Sequence, residues 1–212
     1  MRVSIEIPGI EGYPPSFLAF WSRGVPIPFG PKPVTQNYQV HALAGNYVRL
    51  VEHACAEYRA GAEDLKLFWD THDSFNISAF NRSISHFETC VLSTHRAINM
   101  YRRLRRNRDS DPLAVYLNTQ KPAFAGDSVA DKLRAIRHEI THLDERLVEG
   151  GIQQGQPFAL KPDGPETQAL DDPNLTVKHF DRVIIGALEL SFIDLVAWLS
   201  EMCSEAQRIA RF

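Results

Sequence analysis

The fold class is decided by residues 80–101, which read FNRSISHFETCVLSTHRAINMY. Side chains suited to a protein core recur here at alternating spacings of four and three residues, namely Phe80, Ile84, Phe87, Val91, Thr94, Ile98 and Tyr101. This spacing matches the helical repeat of about 3.6 residues and places one apolar stripe along an amphipathic helix. The stretch therefore predicts a long helix over residues 78–106, whose stripe must pack against other helices.

The same periodicity predicts three further helices. They cover residues 37–61, ending at Gly61; residues 127 or 128 to 149, ending at Gly150 and Gly151; and residues 176 almost to the C-terminus. Residues 107–127 are predicted to form a connection with one short helical turn, and residues 150–175 a loop. We therefore expect an all-α protein, with an antiparallel bundle of four to five helices over residues 37–212.

Residues 1–36 follow a different pattern. Apolar residues alternate between Val3 and Ile7 as they do in a short β-strand, and Pro-Gly follows directly. Six prolines between positions 14 and 33 then prevent long regular structure. Because Phe20 and Trp21 give this segment apolar surface to bury, we expect an irregular, proline-rich N-terminal arm that wraps the domain.

The composition excludes several classes of protein. An apolar fraction of 44% and a charged fraction of 23% are those of an ordinary globular protein. The net charge of −3 gives no global attraction to nucleic acid, so any contact with RNA has to be local. Three widely spaced cysteines favour a reducing compartment. No apolar run is long enough for a signal peptide or a membrane span, so we expect a cytoplasmic protein without membrane association.

The stretch with the most candidate functional residues is RHEITHLDERL, residues 137–147. His138-Glu139-Ile140-Thr141-His142 matches HExxH, in which two histidines one helical turn apart bind zinc and the glutamate acts as general base. Read from Arg137, the same letters give Arg-His-x-x-x-His. Helical geometry places Arg137, His138 and His142 off the apolar stripe that contains Ile136. These side chains are therefore expected on the outer face of the helix.

The zinc interpretation lacks supporting sequence. The extended zinc motif requires glycine at position 145 and histidine at position 148, where this chain has Glu145 and Val148. Candidates for a third zinc ligand follow no recognisable pattern, namely Glu166, His179 and Glu189. The positive charge of Arg137 would also oppose a zinc dication. We therefore expect no metal and no cofactor. A plain alternative stays open, in which Arg134, the two histidines and Glu145 are a solvated helix face with pairs such as His142–Glu145.

Arg137-His138-x-x-x-His142 resembles the motif of the HEPN superfamily, an arginine followed after four to six residues by a histidine. The surrounding KLRAIRHEITHLDERLVEGG, residues 132–151, is similar to the helix that carries this motif in the family. HFETCVLSTHRAINMYRRLR, residues 86–105, is similar to the family's long second helix. The resemblance covers roughly residues 37–210 and leaves the N-terminal arm outside.

The resemblance implies an HEPN-like bundle and a metal-independent endoribonuclease that acts as a two-fold homodimer. Such proteins are often toxins or defence proteins, so a protein antitoxin or regulatory partner is implied as well. Arg137 would bind the scissile phosphate and stabilise its developing charge. His142 would act as general acid or base on the 2′-hydroxyl, and His138 would support or orient. The implied alternative is a non-catalytic binding or dimerisation module, which the acidic Glu139, Asp144 and Glu145 favour because they would repel an RNA backbone.

Further candidate residues lie on the long second helix. Glu88, His95 and Arg102 share one polar flank, from which Glu88 and His95 could support the site. The densest positive cluster in the chain begins at Arg102 and points in all directions around the helix. Arg102, Arg105 and Arg134 are candidates for contacts with RNA phosphates. The alternative is a solvated flank and a helix C-terminus that its cations stabilise.

Overall fold

The structure is a computed structural model that describes residues 2–23, 35, 37–70, 76–106, 111–172 and 174–212. The described chain is mostly helical and also contains short β-strands. Its helices are α1 (Phe17–Ser22), α2 (Tyr38–Asp70), α3 (Ile77–Arg105), α4 (Pro112–Thr119), α5 (Asp127–Thr141), α6 (Leu143–Glu149) and α7 (Phe192–Arg211). Its strands are β1 (Arg2–Ile5), β2 (Lys161–Asp163), β3 (Glu166–Gln168), β4 (Thr176–Phe180), β5 (Arg182–Ile185) and β6 (Leu188–Ser191). Within these residues, no helix is long and apolar enough to cross a membrane.

The chain divides into two compact units, each assembled from separate segments. The first unit consists of Met1–Gly9, Glu57–Thr89 and Ala135–Ala197, and the second of Ile10–Ala56, Cys90–Arg134 and Trp198–Phe212. Four helices, α2, α3, α5 and α7, contribute residues to both units. The expected division into an arm and a bundle stays a prediction.

The long helix predicted from residues 80–101 is confirmed as α3, which begins and ends within one residue of the expected bounds. The helix predicted for residues 37–61 continues past Gly61, as α2, and ends at Asp70. A Cβ atom at Gly61 would lie 3.2 Å from the ring of Phe87. This glycine therefore permits close packing of α2 on α3 and does not end the helix.

The prediction of an all-α protein is wrong for residues 161–191. The first unit contains the sheet β1–β4–β3, in which β1 runs parallel to β4 and pairs Arg2 with Val177, and the antiparallel sheet β2–β5–β6. The expected loop 150–175 therefore contains strands β2 and β3, and the expected helix from residue 176 begins only at Phe192. Gly186, with φ of 54°, forms the tight turn between β5 and β6, and glycine adopts this left-handed conformation at little cost.

Smaller differences concern the connections and the arm. The helix predicted over residues 127–149 is interrupted at His142, with φ −113° and ψ 21°, and ends at Gly150 in the left-handed conformation. The connection 107–127 contains the two-turn helix α4 and a 3₁₀ turn at Ala123–Ala125. Asp111 caps α4 by accepting from two backbone amides. The strand predicted near the N-terminus is confirmed as β1, whereas residues 24–34, 36 and 107–110 lie outside the described residues.

Each unit has its own buried aromatic cluster. In the first unit Phe87 and Phe192 have ring centroids 5.0 Å apart, and both contact Tyr58. In the second unit Tyr101 packs against Tyr47 and Phe124 with centroids 5.3 and 4.9 Å away. All of these rings are fully buried, so they stabilise the helices on which the candidate sites lie.

Candidate functional site

The motif residues lie at the junction of α5 and α6, in the first unit. Arg137 and His138 are exposed on the last turns of α5, and His142 occupies the interruption between the helices. The ring centroids of His138 and His142 are 4.5 Å apart. Nδ1 of His142 lies 2.8 Å from a carboxylate oxygen of Glu145. If Nδ1 donates to this carboxylate, Nε2 is left as the basic nitrogen, which is the arrangement that a general base requires.

The charge of Arg137 is not compensated by a carboxylate among the described residues. Its backbone carbonyl accepts a hydrogen bond from the Thr141 hydroxyl at 2.8 Å, which fixes the backbone of this turn. By contrast, Arg146 of the same unit forms an ion pair of 2.8 Å with Glu139. The Arg137 guanidinium is therefore available to bind an external anion, and its planar donors suit a phosphate.

The geometry around Glu139 does not favour the zinc interpretation. Glu139 is held by Arg146 and borders a cavity of about 230 Å³ lined in part by Gly186. Two of the three expected third ligands are engaged elsewhere: His179 contacts Glu6 at 2.6 Å and Thr167 at 2.8 Å, and Glu189 lies 2.7 Å from Arg182. Within the residues that the structure describes, no group of three or more His, Cys, Asp or Glu side chains could hold a metal ion.

The supporting candidates Glu88 and His95 lie in different units. Glu88 is half-buried in the first unit, and its carboxylate interacts with the backbone N–H of Leu160. Desolvation raises the pKa of Glu88, partly offset by this hydrogen bond, which lowers it. Among the described residues Glu88 makes no hydrogen bond to Arg137 or His142. His95, in the second unit, has Nε2 at 3.1 Å from the side-chain amide of Asn99.

The predicted RNA-binding arginines belong to a cleft in the second unit. One cavity of about 330 Å³ is lined by Arg102, Arg105, Arg106, Asn118 and the segment 125–127. Another of about 390 Å³ shares Arg102 and Arg106 and adds Asn99, Arg103 and Arg134. We name the five arginines of both cavities the arginine cleft. The sequence suggested that the cluster points in all directions, but α3 and α5 bring four of these arginines to one cavity. Asn99 was missed. Arg103 and Arg106 belonged to the predicted positive cluster but not to the three RNA-binding candidates, although a spacing of four and three residues places them on one helix face with Asn99.

Carboxylates compensate only part of the arginine cleft. Arg102 is paired with Asp127, and Arg134 lies 2.8 Å from Asp131. Among the described residues Arg103 and Arg106 have no such partner. The buried Nε of Arg105 has no hydrogen-bond partner among the described residues. The cleft therefore keeps a local positive charge on a chain whose net charge is −3.

Two features thus present reactive or charged side chains to solvent, where a ligand can reach them, and each belongs to one unit. The first is the exposed Arg137 beside a histidine that a carboxylate holds. The second is the arginine cleft. A scan against protein-family models, a search of curated proteins and a search of solved structures each found no match to this chain.

Proposed function

We propose that the protein is a metal-independent endoribonuclease of HEPN type that acts as a homodimer. The observation that carries this proposal is the arrangement at residues 137–145. An exposed guanidinium with no carboxylate partner among the described residues lies within two turns of an imidazole that Glu145 holds at 2.8 Å. An anion binder and an oriented base are two of the three groups that cleavage of RNA without a metal uses, the third being an acid for the leaving oxygen.

The proposed chemistry uses only groups of the protein and the RNA. Nε2 of His142 accepts the proton of a 2′-hydroxyl, whose oxygen attacks the adjacent phosphorus. The bond from phosphorus to the 5′-oxygen breaks, and the leaving oxygen takes a proton from a second histidine, which we assign to His142 of the other subunit. Arg137 donates hydrogen bonds to the non-bridging oxygens as their negative charge develops. The products are a 2′,3′-cyclic phosphate and a 5′-hydroxyl.

Exposed apolar residues support a partner surface beside the motif. Leu147 and Val148 of α6 are 51% and 88% exposed, and they follow His142 within two helical turns. Apolar side chains clustered next to a functional motif are typical of a surface that a second protein covers. A two-fold axis at this surface would bring two copies of the motif together.

The arginine cleft is an argument for RNA as the substrate. In this proposal Arg102, Arg105 and Arg134 contact backbone phosphates together with Arg103 and Arg106. Such contacts depend on charge and geometry and not on base identity. The cleft would therefore hold many RNA sequences, and selection of a cleavage site would depend on the motif and on RNA shape.

The decisive experiment is RNA cleavage in excess EDTA by the wild-type protein and by R137A and H142A. We expect wild-type cleavage to leave 2′,3′-cyclic phosphate ends, and each variant to lose activity at least about a hundredfold. R96A and H53A are matched controls, because both residues are exposed and lie outside the motif and the cleft. Circular dichroism checks that every variant is folded. A folded wild-type protein that does not cleave RNA in EDTA refutes the proposal.

A second candidate function is a non-catalytic dimerisation or binding module. The specific observation in its favour is the carboxylates of Asp144 and Glu145 in the first turn of α6, which would repel an RNA backbone near His142. This candidate predicts a stable dimer, or a complex with an antitoxin-like protein, and no cleavage by the wild-type protein. The same assay therefore separates the two functions.

A further inference from the structure

A further cavity, in the first unit, is larger than those of the arginine cleft. It has a volume of about 810 Å³ and lies between the first turns of α3 and the segment 155–161. Its α3 wall is formed by Phe80, Asn81, Ile84, Ser85 and Glu88. This volume is in the range of small-molecule sites, which combine an apolar lining with a few polar groups.

The apolar part of the lining consists of residues that the core does not cover. Phe80 and Ile84 belong to the helical stripe that is buried further along α3, yet both are only half-buried here because they face the cavity. Phe158, on the opposite wall, is 67% exposed. Two aromatic rings and a branched aliphatic side chain thus offer contact area to an apolar group.

Glu88 is the acidic residue of this lining. Its carboxylate interacts with the backbone N–H of Leu160, and its partial burial disfavours the charged form. Lys161 borders the same cavity, but its ammonium lies 3.0 Å from a carboxylate oxygen of Asp163. The negative charge of Glu88 therefore has no cationic side chain committed to it among the described residues, and a cation inside the cavity would compensate it.

We propose that this cavity binds a small organic ammonium ion with an aromatic or aliphatic tail. The ammonium group hydrogen-bonds to Glu88, and the tail packs against Phe80, Ile84 and Phe158. The rings add a favourable interaction with the cation through their faces. An anionic ligand would be repelled by Glu88, and a neutral apolar ligand would leave the carboxylate desolvated without a partner. The site is separate from the motif and the cleft, so the proposal does not depend on ribonuclease activity.

The test is isothermal titration of the full chain with 2-phenylethylamine and with 2-phenylethanol, which differ in the charged group. We expect the amine to bind about tenfold more tightly than the alcohol, because a charge-assisted hydrogen bond is added. E88Q keeps the shape and an acceptor for the Leu160 amide but removes the charge. It should weaken amine binding about tenfold and should not weaken alcohol binding.

Two further variants make the result specific. E166Q removes an exposed carboxylate of the same unit outside the cavity and should bind the amine as the wild-type protein does. F158A should weaken amine and alcohol alike, because it removes apolar contact that both probes share. Equal affinities of wild type for both probes, an unaltered amine affinity in E88Q, or no amine binding by folded protein at roughly 10 mM would each overturn the proposal.

Discussion

The carboxylate of Asp163 makes the stability of the folded protein depend on pH. Desolvation raises its pKa, but hydrogen bonds from Lys178, from the backbone N–H of Gly164 and from Lys161 outweigh this effect and hold the pKa at about 2. The Lys178 ammonium lies 2.5 Å and the Lys161 ammonium 3.0 Å from the carboxylate oxygens. The folded protein therefore keeps this group ionised at a pH where the unfolded chain has already bound a proton.

We predict that D163N lowers the free energy of unfolding at pH 7 by about 1–2 kcal/mol, allowing for the partial solvent screening of the group. Because the folded pKa is depressed, this contribution is complete above about pH 4 and is lost as the pH falls toward about 2. Urea denaturation of the wild type and D163N across this range measures it. D144N, which removes an exposed carboxylate of the same unit, is the control. A wild-type advantage over D163N that does not shrink on acidification would contradict the prediction.

Among single residues, those of the motif were the most accessible to sequence reasoning. The off-stripe positions of Arg137 and His138 follow from helical geometry, and both side chains are exposed. The interruption at His142 was not foreseen, because no proline or glycine marks it. Glu88 carries no sequence signal for its altered pKa, since burial and the distant Leu160 cause it. For Asp163 the nearby Lys161 and Gly164 are visible in the sequence, but the larger effect of Lys178 depends on folding.

At the scale of elements, α3 ends in the arginine cleft, and this gives a prediction about salt. R103Q/R106Q removes two exposed charges that have no carboxylate partner among the described residues. We expect RNA binding to weaken, and the slope of log Kd against log salt concentration to fall by about 1 to 1.5, as for two single-strand phosphate contacts. Fluorescence anisotropy across a salt series measures this slope.

R96Q is the matched control for the cleft, because Arg96 is exposed on the same helix and lines neither cavity. Its salt slope should equal that of the wild-type protein. If R103Q/R106Q also keeps the wild-type slope, the cleft does not contact RNA, and its arginines only stabilise the C-terminal end of α3.

The elements that sequence periodicity described well are those with one uninterrupted stripe, above all α3. The region 176–191 was predicted wrongly as a helix, because its apolar residues Val177, Phe180 and Ile184 also fit the helical spacing of three and four. The structure instead buries Val183 and Ile185, which alternate along β5 with a period of two. In so short a segment the two periods overlap, and pairing with partner strands decides between them.

At the scale of the whole molecule, the homodimer of the proposed function is directly testable. L147D/V148D places two charges on exposed apolar positions of α6. We expect a dimeric wild-type protein to become monomeric in sedimentation velocity and to lose RNA cleavage, with its circular dichroism unchanged. L170D, at a fully exposed leucine outside α6, should stay dimeric. A monomeric wild-type protein, or a variant that still dimerises, would contradict this interface.

How much of the whole fold could be predicted depends on how far apart in the sequence the contacting residues lie. Local stripes predicted an all-α chain, and the described chain is mostly helical with short strands. The pairing of β1 with β4 could not be predicted, since these strands lie at opposite ends of the chain. The local strands β5 and β6 were missed for the other reason, the overlap of the two periods in a short segment. The arginine cleft likewise needs Arg134 of α5 to join α3 at Asn99, Arg102, Arg103 and Arg106, and helical spacing alone does not supply that packing.

The parallel pairing of β1 with β4 also sets an order of events during synthesis. Glu6, directly after β1, contacts His179, which follows it by 173 positions. A ribosome makes β1 first, and this strand must wait for its partner while the chain between them is translated. Closing so long a loop is slow, and the unpaired backbone N–H and C=O groups of β1 can pair with wrong strands meanwhile. The strand β1 is therefore translated long before β4, and we expect it to find its native partner late in folding.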